Sequence, residues 1–151
     1  MRENLTNLNI LINFLNEINE IVILTYPGAD FGYNNYIKLI KNIKNKKIHI
    51  IKSLGINHYY QFLKHSNLVI GNSSSGIIET GAFKIPTLNI GNRQKLRFKN
   101  KNVFNANFNS KELRYAYKKL ISKSFLIKLK RMKDIYKTKI SSGKLINKLL
   151  T

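Results

Sequence analysis

The chain has 151 residues, 27 Lys plus Arg against 7 Asp plus Glu for a net charge of +20, three His, and no Cys or Trp. That length suits one domain able to bury a core without disulfides, and the lack of Cys excludes a disulfide framework, thiolate metal ligands and a Cys nucleophile. No apolar run approaches the ~20 residues of a membrane-spanning helix, and Met1-Arg2-Glu3-Asn4 opens no signal-like apolar stretch, so a cytoplasmic, reducing compartment is expected.

Leu8, Leu11, Ile12, Leu15 and Ile18 recur at helical spacing, which predicts an amphipathic helix over 6–19. Ile21 to Leu24 is short, apolar and β-branched, as a strand buried on both faces would be. Tyr26 to Gly32 is loop chemistry, punctuated by Pro27 and Gly28. Tyr36, Ile37, Leu39, Ile40 and Ile43 predict a second helix, followed by a strand at Ile48–Ile51. His58 to His65 reads as a short helix and Leu68-Val69-Ile70 as a buried strand. The small-residue turn Gly71 to Gly76 leads into a helix from Ile77 to Phe83 and a strand from Pro86 to Ile90. After the polar stretch 91–101, Val103-Phe104 is a last short strand, and 110–122, 124–137 and 142–150 read as helices. Strands alternating with helices at this spacing predict one α/β domain with a Rossmann-like parallel sheet covered on both faces. The first element is a helix with no strand before it, so the sheet is expected to lack its opening strand.

The charge is uneven: residues 1–90 hold nine basic and five acidic groups, residues 91–151 hold 18 and two. Clustered cations suit nucleic acid, but 22 of the 27 are Lys, and Asn and Ile are also abundant. These three residue types share A/T-rich codons. A base-composition bias explains the excess, and a nucleic-acid partner is not expected.

The strongest local signal is strand, small-residue loop, helix: Leu68-Val69-Ile70, Gly71-Asn72-Ser73-Ser74-Ser75-Gly76, Ile77-Ile78-Glu79. Ligands of parallel α/β sheets sit outside the carboxyl ends of strands, where free backbone N–H groups and Ser hydroxyls can meet a phosphate. An ordinary Ser N-cap is the bland alternative. No Lys follows Gly76, which sets the loop apart from a nucleoside triphosphate loop. Glu79 could be a helix-surface residue, a capping-box partner or an acceptor for two neighbouring hydroxyls. The second cluster, Gly91-Asn92-Arg93-Gln94-Lys95-Leu96-Arg97, follows the strand that ends at Ile90. Arg93 suits a diphosphate because its planar fork binds two oxygens; a solvated basic turn is the alternative. His49 reads as a core residue, and neither His58 nor His65 has a nearby carboxylate to orient it. No spacing suggests a metal site.

The ordered run Val69 to Glu79, continuing through Gly81-Ala82-Phe83, Ile85-Pro86-Thr87 and Asn89 to Gln94, resembles the UDP-N-acetylglucosamine 2-epimerase family. It looks most like the hydrolysing branch, which releases UDP and a 2-epimeric 2-acetamido sugar for sialic-acid-type synthesis. Weaker similarity runs from Leu24-Thr25-Tyr26-Pro27 to Ile135-Tyr136 and Ser141 to Lys144. The resemblance implies the C-terminal, UDP-binding half of a glycosyltransferase-B-like fold. By the same resemblance Ser73 and Ser74 would hold the diphosphate, Glu79 the ribose hydroxyls and Arg93 the phosphate or neighbouring wall. The segment around Leu54 would line the uracil pocket through its backbone. No cofactor and no catalytic residue is assigned to the chain. UDP or a UDP-sugar is the expected ligand, a separate N-terminal half the expected partner, and a homo-oligomer is left open.

Departures sharpen the expectation. Gly28 stands where family members usually carry Asn after the Pro, which removes one nucleotide contact. Tyr136-Lys137-Thr138-Lys139 replaces a Gly- and Asp-rich turn. The family's His-Pro-x-Thr strand would fall just before Met1, and the N-terminal domain with its catalytic carboxylates would lie beyond it. The expectation is a truncated or split half-enzyme inactive alone, with a stand-alone nucleotide-sugar-binding module as the alternative.

Overall fold

A computed structural model describes residues 2–28 and 33–137. The elements run α1 (Arg2–Glu17), β1 (Val22–Thr25), α2 (Tyr33–Lys41), β2 (Ile48–Ile51), α3 (Gly55–Lys64), β3 (Val69–Gly71), α4 (Ser75–Ile78), β4 (Thr87–Ile90), β5 (Val103–Ala106), α5 (Ser110–Leu120) and α6 (Lys123–Lys130). Every strand pair is parallel. Val22 lies opposite Ile48 in one sheet, and Val69 opposite Thr87 and Thr87 opposite Val103 in another. Hydrogen bonding divides the strands into β1-β2 and β3-β4-β5, although one core serves both.

That core explains the layering. Phe14 and Leu15 of α1, Ile18 just after it, and Leu113, Ala116 and Leu120 of α5 pack with Leu88, Ile90, Ala106 and Ile48. Successive residues of a strand face opposite sides, so Leu88 and Ile90 meet this layer while Thr87 and Asn89 point the other way. On that second face a Cβ at Gly76 of α4 would lie 3.3 Å from Thr87 Cγ2. Helices therefore cover both faces of β4, all four of whose residues are buried. Two N-caps that fit their residue types set the C-terminal helices. Asn109 accepts from the amides of Lys111 (2.9 Å) and Glu112 (3.2 Å), and Ser122 accepts from Phe125 (3.3 Å).

The fold is the α/β arrangement expected, with several local corrections. The first helix covers Arg2–Glu17 rather than 6–19, and α3 begins at Gly55. The helix expected from Ile77 to Phe83 is a single turn, Ser75–Ile78. Thr80 Oγ1 donates back to the Gly76 carbonyl at 2.8 Å, and Lys84 takes a left-handed φ of 55°, so the chain turns instead of continuing. The helix expected over 124–137 stops at Lys130, because Asp134 is held from outside. Its Oδ1 accepts from Asn100 Nδ2 at 2.7 Å and from the Tyr136 amide at 3.0 Å. β1 is half-buried, not enclosed on both faces, and His49 is exposed rather than in the core. The remaining expected helix, 142–150, and the segment Ser141 to Lys144 lie outside the described residues, as do loop residues 29–32.

Candidate functional site

Within each sheet the strands are parallel, so the carboxyl ends of β3 and β4 lie on one edge and those of β1 and β2 share an edge of their own sheet, and the loops leaving them carry the polar groups. The Ser loop leaves β3. Ser74 is the residue before α4, but its hydroxyl caps nothing; the α4 amides of Ile77 and Ile78 bond its carbonyl at 3.0 and 2.9 Å. Ser73 Oγ accepts from the Ser75 amide at 3.3 Å, and Ser73 is exposed while Ser74 is half-buried. The plain Ser-cap alternative therefore does not hold for Ser74, whose side chain remains available to a ligand. With α4 only one turn long, hydroxyls and loop amides carry more of any anion binding here than a helix dipole does.

Glu79 closes α4 as its C-cap and is half-buried. It is neither a surface helix residue nor a capping-box partner: Oε2 accepts from Ser75 Oγ at 3.2 Å, one helical turn earlier. The same Ser75 Oγ hydrogen-bonds the hydroxyl of Tyr59 on α3. Burial, foremost, pushes the Tyr59 hydroxyl above the usual phenol range; its bond to Ser75 opposes this, and the nearby Glu79 adds to it.

The Arg93 turn leaves β4 through Gly91, whose φ of 74° requires the left-handed region; a Cβ there would also press Phe108 at 3.0 Å. Arg93, Lys95 and Arg97 are exposed. Beside Arg93, Gln94 is buried, and its Nε2 donates to the Asn72 carbonyl at 2.9 Å. This bond staples the basic turn to the Ser loop, so Ser73, Ser74, Glu79 and Arg93 belong to one connected edge. Toward the amino ends of β4 and β5, buried Asn102 donates to Thr80 Oγ1 (2.9 Å) and the Ile85 carbonyl (2.7 Å), and Thr87 Oγ1 donates to Thr80 Oγ1 (2.8 Å). Thr80 Oγ1 in turn donates to the Gly76 carbonyl, so this buried polar network reaches the last residue of the Ser loop.

Leu54 stands apart, at the carboxyl end of β2. It is half-buried and lines a cleft of about 310 Å³ with Thr25, Tyr26, Lys52, Ser53, Gly55, Ile56 and Tyr59. Tyr59 joins this cleft to the Ser loop through Ser75. Neither Tyr59 nor Gln94 was singled out from sequence. The signal for Tyr59 was its place four residues before Leu63, which is buried and shares its helix face. Gln94 carried no signal beyond being the one long neutral polar residue among the cations of its turn. A smaller cleft of about 200 Å³ opens beyond β4 and β5, where Asn89, Asn105, Lys95 and Glu112 contribute to its wall.

Comparison with known proteins agrees with this architecture. Residues 2–150 match the family model for UDP-N-acetylglucosamine 2-epimerase. The GDP/UDP-N,N'-diacetylbacillosamine 2-epimerase (hydrolyzing) of Campylobacter jejuni subsp. jejuni is 37% identical over 110 residues, covering 71% of this chain and 28% of that protein. The UDP-N,N'-diacetylbacillosamine 2-epimerase (hydrolyzing) of Legionella pneumophila is 36% identical over 83 residues, covering 54% and 22%. The solved structure of UDP-GlcNAc 2-epimerase from Methanocaldococcus jannaschii superposes with a TM-score of 0.72 at 17% identity, over 98% of this chain and 42% of that one. That likeness speaks for the fold. The chain spans less than a third of the two curated relatives. With almost its whole length matched, and with the parallel α/β fold of the solved relative, the chain belongs to the UDP-N-acetylglucosamine 2-epimerase family.

Proposed function

We propose that this chain is the C-terminal, UDP-recognising half of a hydrolysing UDP-2-acetamido-sugar 2-epimerase. Its expected substrates are UDP-N-acetylglucosamine or a related sugar such as UDP-N,N'-diacetylbacillosamine. The observation that carries this reading is the bond from Gln94 to Asn72, which brings the Arg93 turn and the Ser73–Ser74 loop to one strand edge. A diphosphate needs both a bidentate cation and hydroxyl or amide donors, and this edge offers both. Glu79 would accept from the ribose hydroxyls and the Leu54 cleft would take the uracil.

The family reaction removes UDP across C1–C2 of the sugar and then adds water with inversion at C2. Such an elimination needs a base for the C2 proton and stabilisation of the departing diphosphate. Arg93, Ser73 and Ser74 answer the second need. Among the described residues the carboxylates near this edge are Glu79, whose Oε2 is engaged by Ser75, and Glu112, which accepts from Asn107, so the base is assigned to a separate N-terminal half. One observation fits that partner: the strands divide into β1-β2 and β3-β4-β5 although both parts share one core, as they would if a strand from elsewhere completed the sheet. Under this reading the protein works in the cytoplasm and supplies a free 2-acetamido sugar for sialic-acid-type synthesis.

The test is UDP release from both UDP-sugars, followed by phosphorus NMR. The chain alone is expected to show no turnover, and the chain combined with the N-terminal half of a family relative is expected to release UDP. Arg93→Ala should slow that release about 10- to 100-fold, the range for losing a hydrogen bond to a charged group. Binding of UDP without turnover in any combination would favour the stand-alone binding module instead.

A further inference from the structure

Resting on the nucleotide reading above, we propose that Tyr59 is a positioning residue that makes the site prefer a ribonucleotide over its 2′-deoxy form. Tyr59 belongs to two features at once. Its side chain is part of the wall of the Leu54 cleft, and its hydroxyl bonds Ser75 Oγ, whose other partner is Glu79 Oε2 at 3.2 Å.

The direction of this chain follows from counting protons. A carboxylate only accepts, so Ser75 gives its single proton to Glu79 and must accept from Tyr59. Tyr59 is therefore the donor at the head of the chain, and both hydroxyl protons are committed toward Glu79. The carboxylate is held through Oε2, while Oε1 has no partner among the described residues.

A ribose edge presents two adjacent hydroxyls, and a carboxylate already fixed in orientation can accept from both. An untethered one would lose rotamer freedom on binding. The 2′-hydroxyl is the group a deoxynucleotide lacks, so a fixed Glu79 gains its full value only when both hydroxyls are present and less when the 3′-hydroxyl stands alone. Sites built to pair a hydroxyl reject the analogue without it because their polar group is left unpaired.

Replacing Tyr59 by Phe keeps the ring on the cleft wall and removes only the donor. Calorimetric titrations of the unaltered chain, Tyr59→Phe and Ser75→Ala with UDP and 2′-deoxy-UDP separate the effects. The unaltered chain should bind UDP about tenfold more tightly than the deoxy form. Each variant should lose about three- to tenfold for UDP and stay within about twofold for 2′-deoxy-UDP, so the preference shrinks to about a few-fold or less. Equal weakening toward both nucleotides, or a preference unchanged in Tyr59→Phe, would overturn the assignment of Tyr59 and leave the nucleotide reading standing. No binding of either nucleotide by the unaltered chain would overturn the nucleotide reading, and this assignment with it.

Discussion

The three-stranded and two-stranded sheets share a core but are buried to different depths. Every residue of β4 is buried, whereas β1 is half-buried and ends in an exposed Thr25, and β2 exposes His49. Ile21, just before β1, is 74% exposed, against 0% for Leu88. The candidate phosphate-binding groups stand on the deep side, where packing and the Thr80–Thr87–Asn102 network hold the loop backbone. The cleft at Leu54 stands on the shallow side. Fewer buried contacts mean lower local stability, so the two halves of the candidate site should differ in rigidity, with Tyr59 joining them.

The largest expected effect breaks that contrast from the deep side. Leu88→Ala should destabilise the chain by about 2–5 kcal/mol, the range for truncating a buried Leu. Ile50→Ala, in the half-buried β2, should cost less than about 2 kcal/mol, since less apolar surface is lost. Urea unfolding measures both, and equal losses would remove the distinction between the sheets. A smaller effect is expected in the network that reaches the Ser loop. Asn102→Ala removes the donor to Thr80 Oγ1 and the Ile85 carbonyl, and should cost about 1–3 kcal/mol because buried acceptors are left unpaired. Amide exchange should quicken at Ser75–Ile78 in that variant more than in β2; a uniform response would show that the network does not support the loop.

The smallest effect concerns the surface between the helices. Arg114 Nε and Nη2 both reach the Glu17 carboxylate at 2.7 Å, joining α5 to α1. The hydrogen bond from Arg114 is the main cause holding the Glu17 carboxyl below its usual range. A depressed carboxylate stabilises the fold above its unfolded pKa, and that contribution is lost as pH falls through the folded one. The pair is exposed and screened by salt, so its share is slight. Urea midpoints of the unaltered chain and Arg114→Ala should converge as pH falls through the carboxylate range. A gap that persists at low pH would mean the arginine acts by packing.

Most strands were legible because short β-branched runs between turns have few other uses. Placing the Ser loop and the Arg93 turn at strand ends likewise needed only local pattern. What could not be read was non-local. The end of α6 depends on Asn100, 34 residues away from Asp134. The brevity of α4 depends on Thr80 being shared with Asn102 across 22 positions. Gln94 meets Asn72 over the same separation, and Tyr59 meets Ser75 over 16. The apolar stretch at Ile21–Leu24 looked doubly buried because composition reports what a strand can bury, not what covers it.

The most direct measurement is a UDP titration of the isotope-labelled chain, read at individual backbone amides. Saturable one-to-one shifts confined to Ser73–Gly76, Gly91–Gln94 and the segment around Leu54 are expected, weakening about tenfold or more in Arg93→Ala. A folded chain whose amides at those positions do not move, or whose response is the same without Arg93, would contradict a UDP site on this edge.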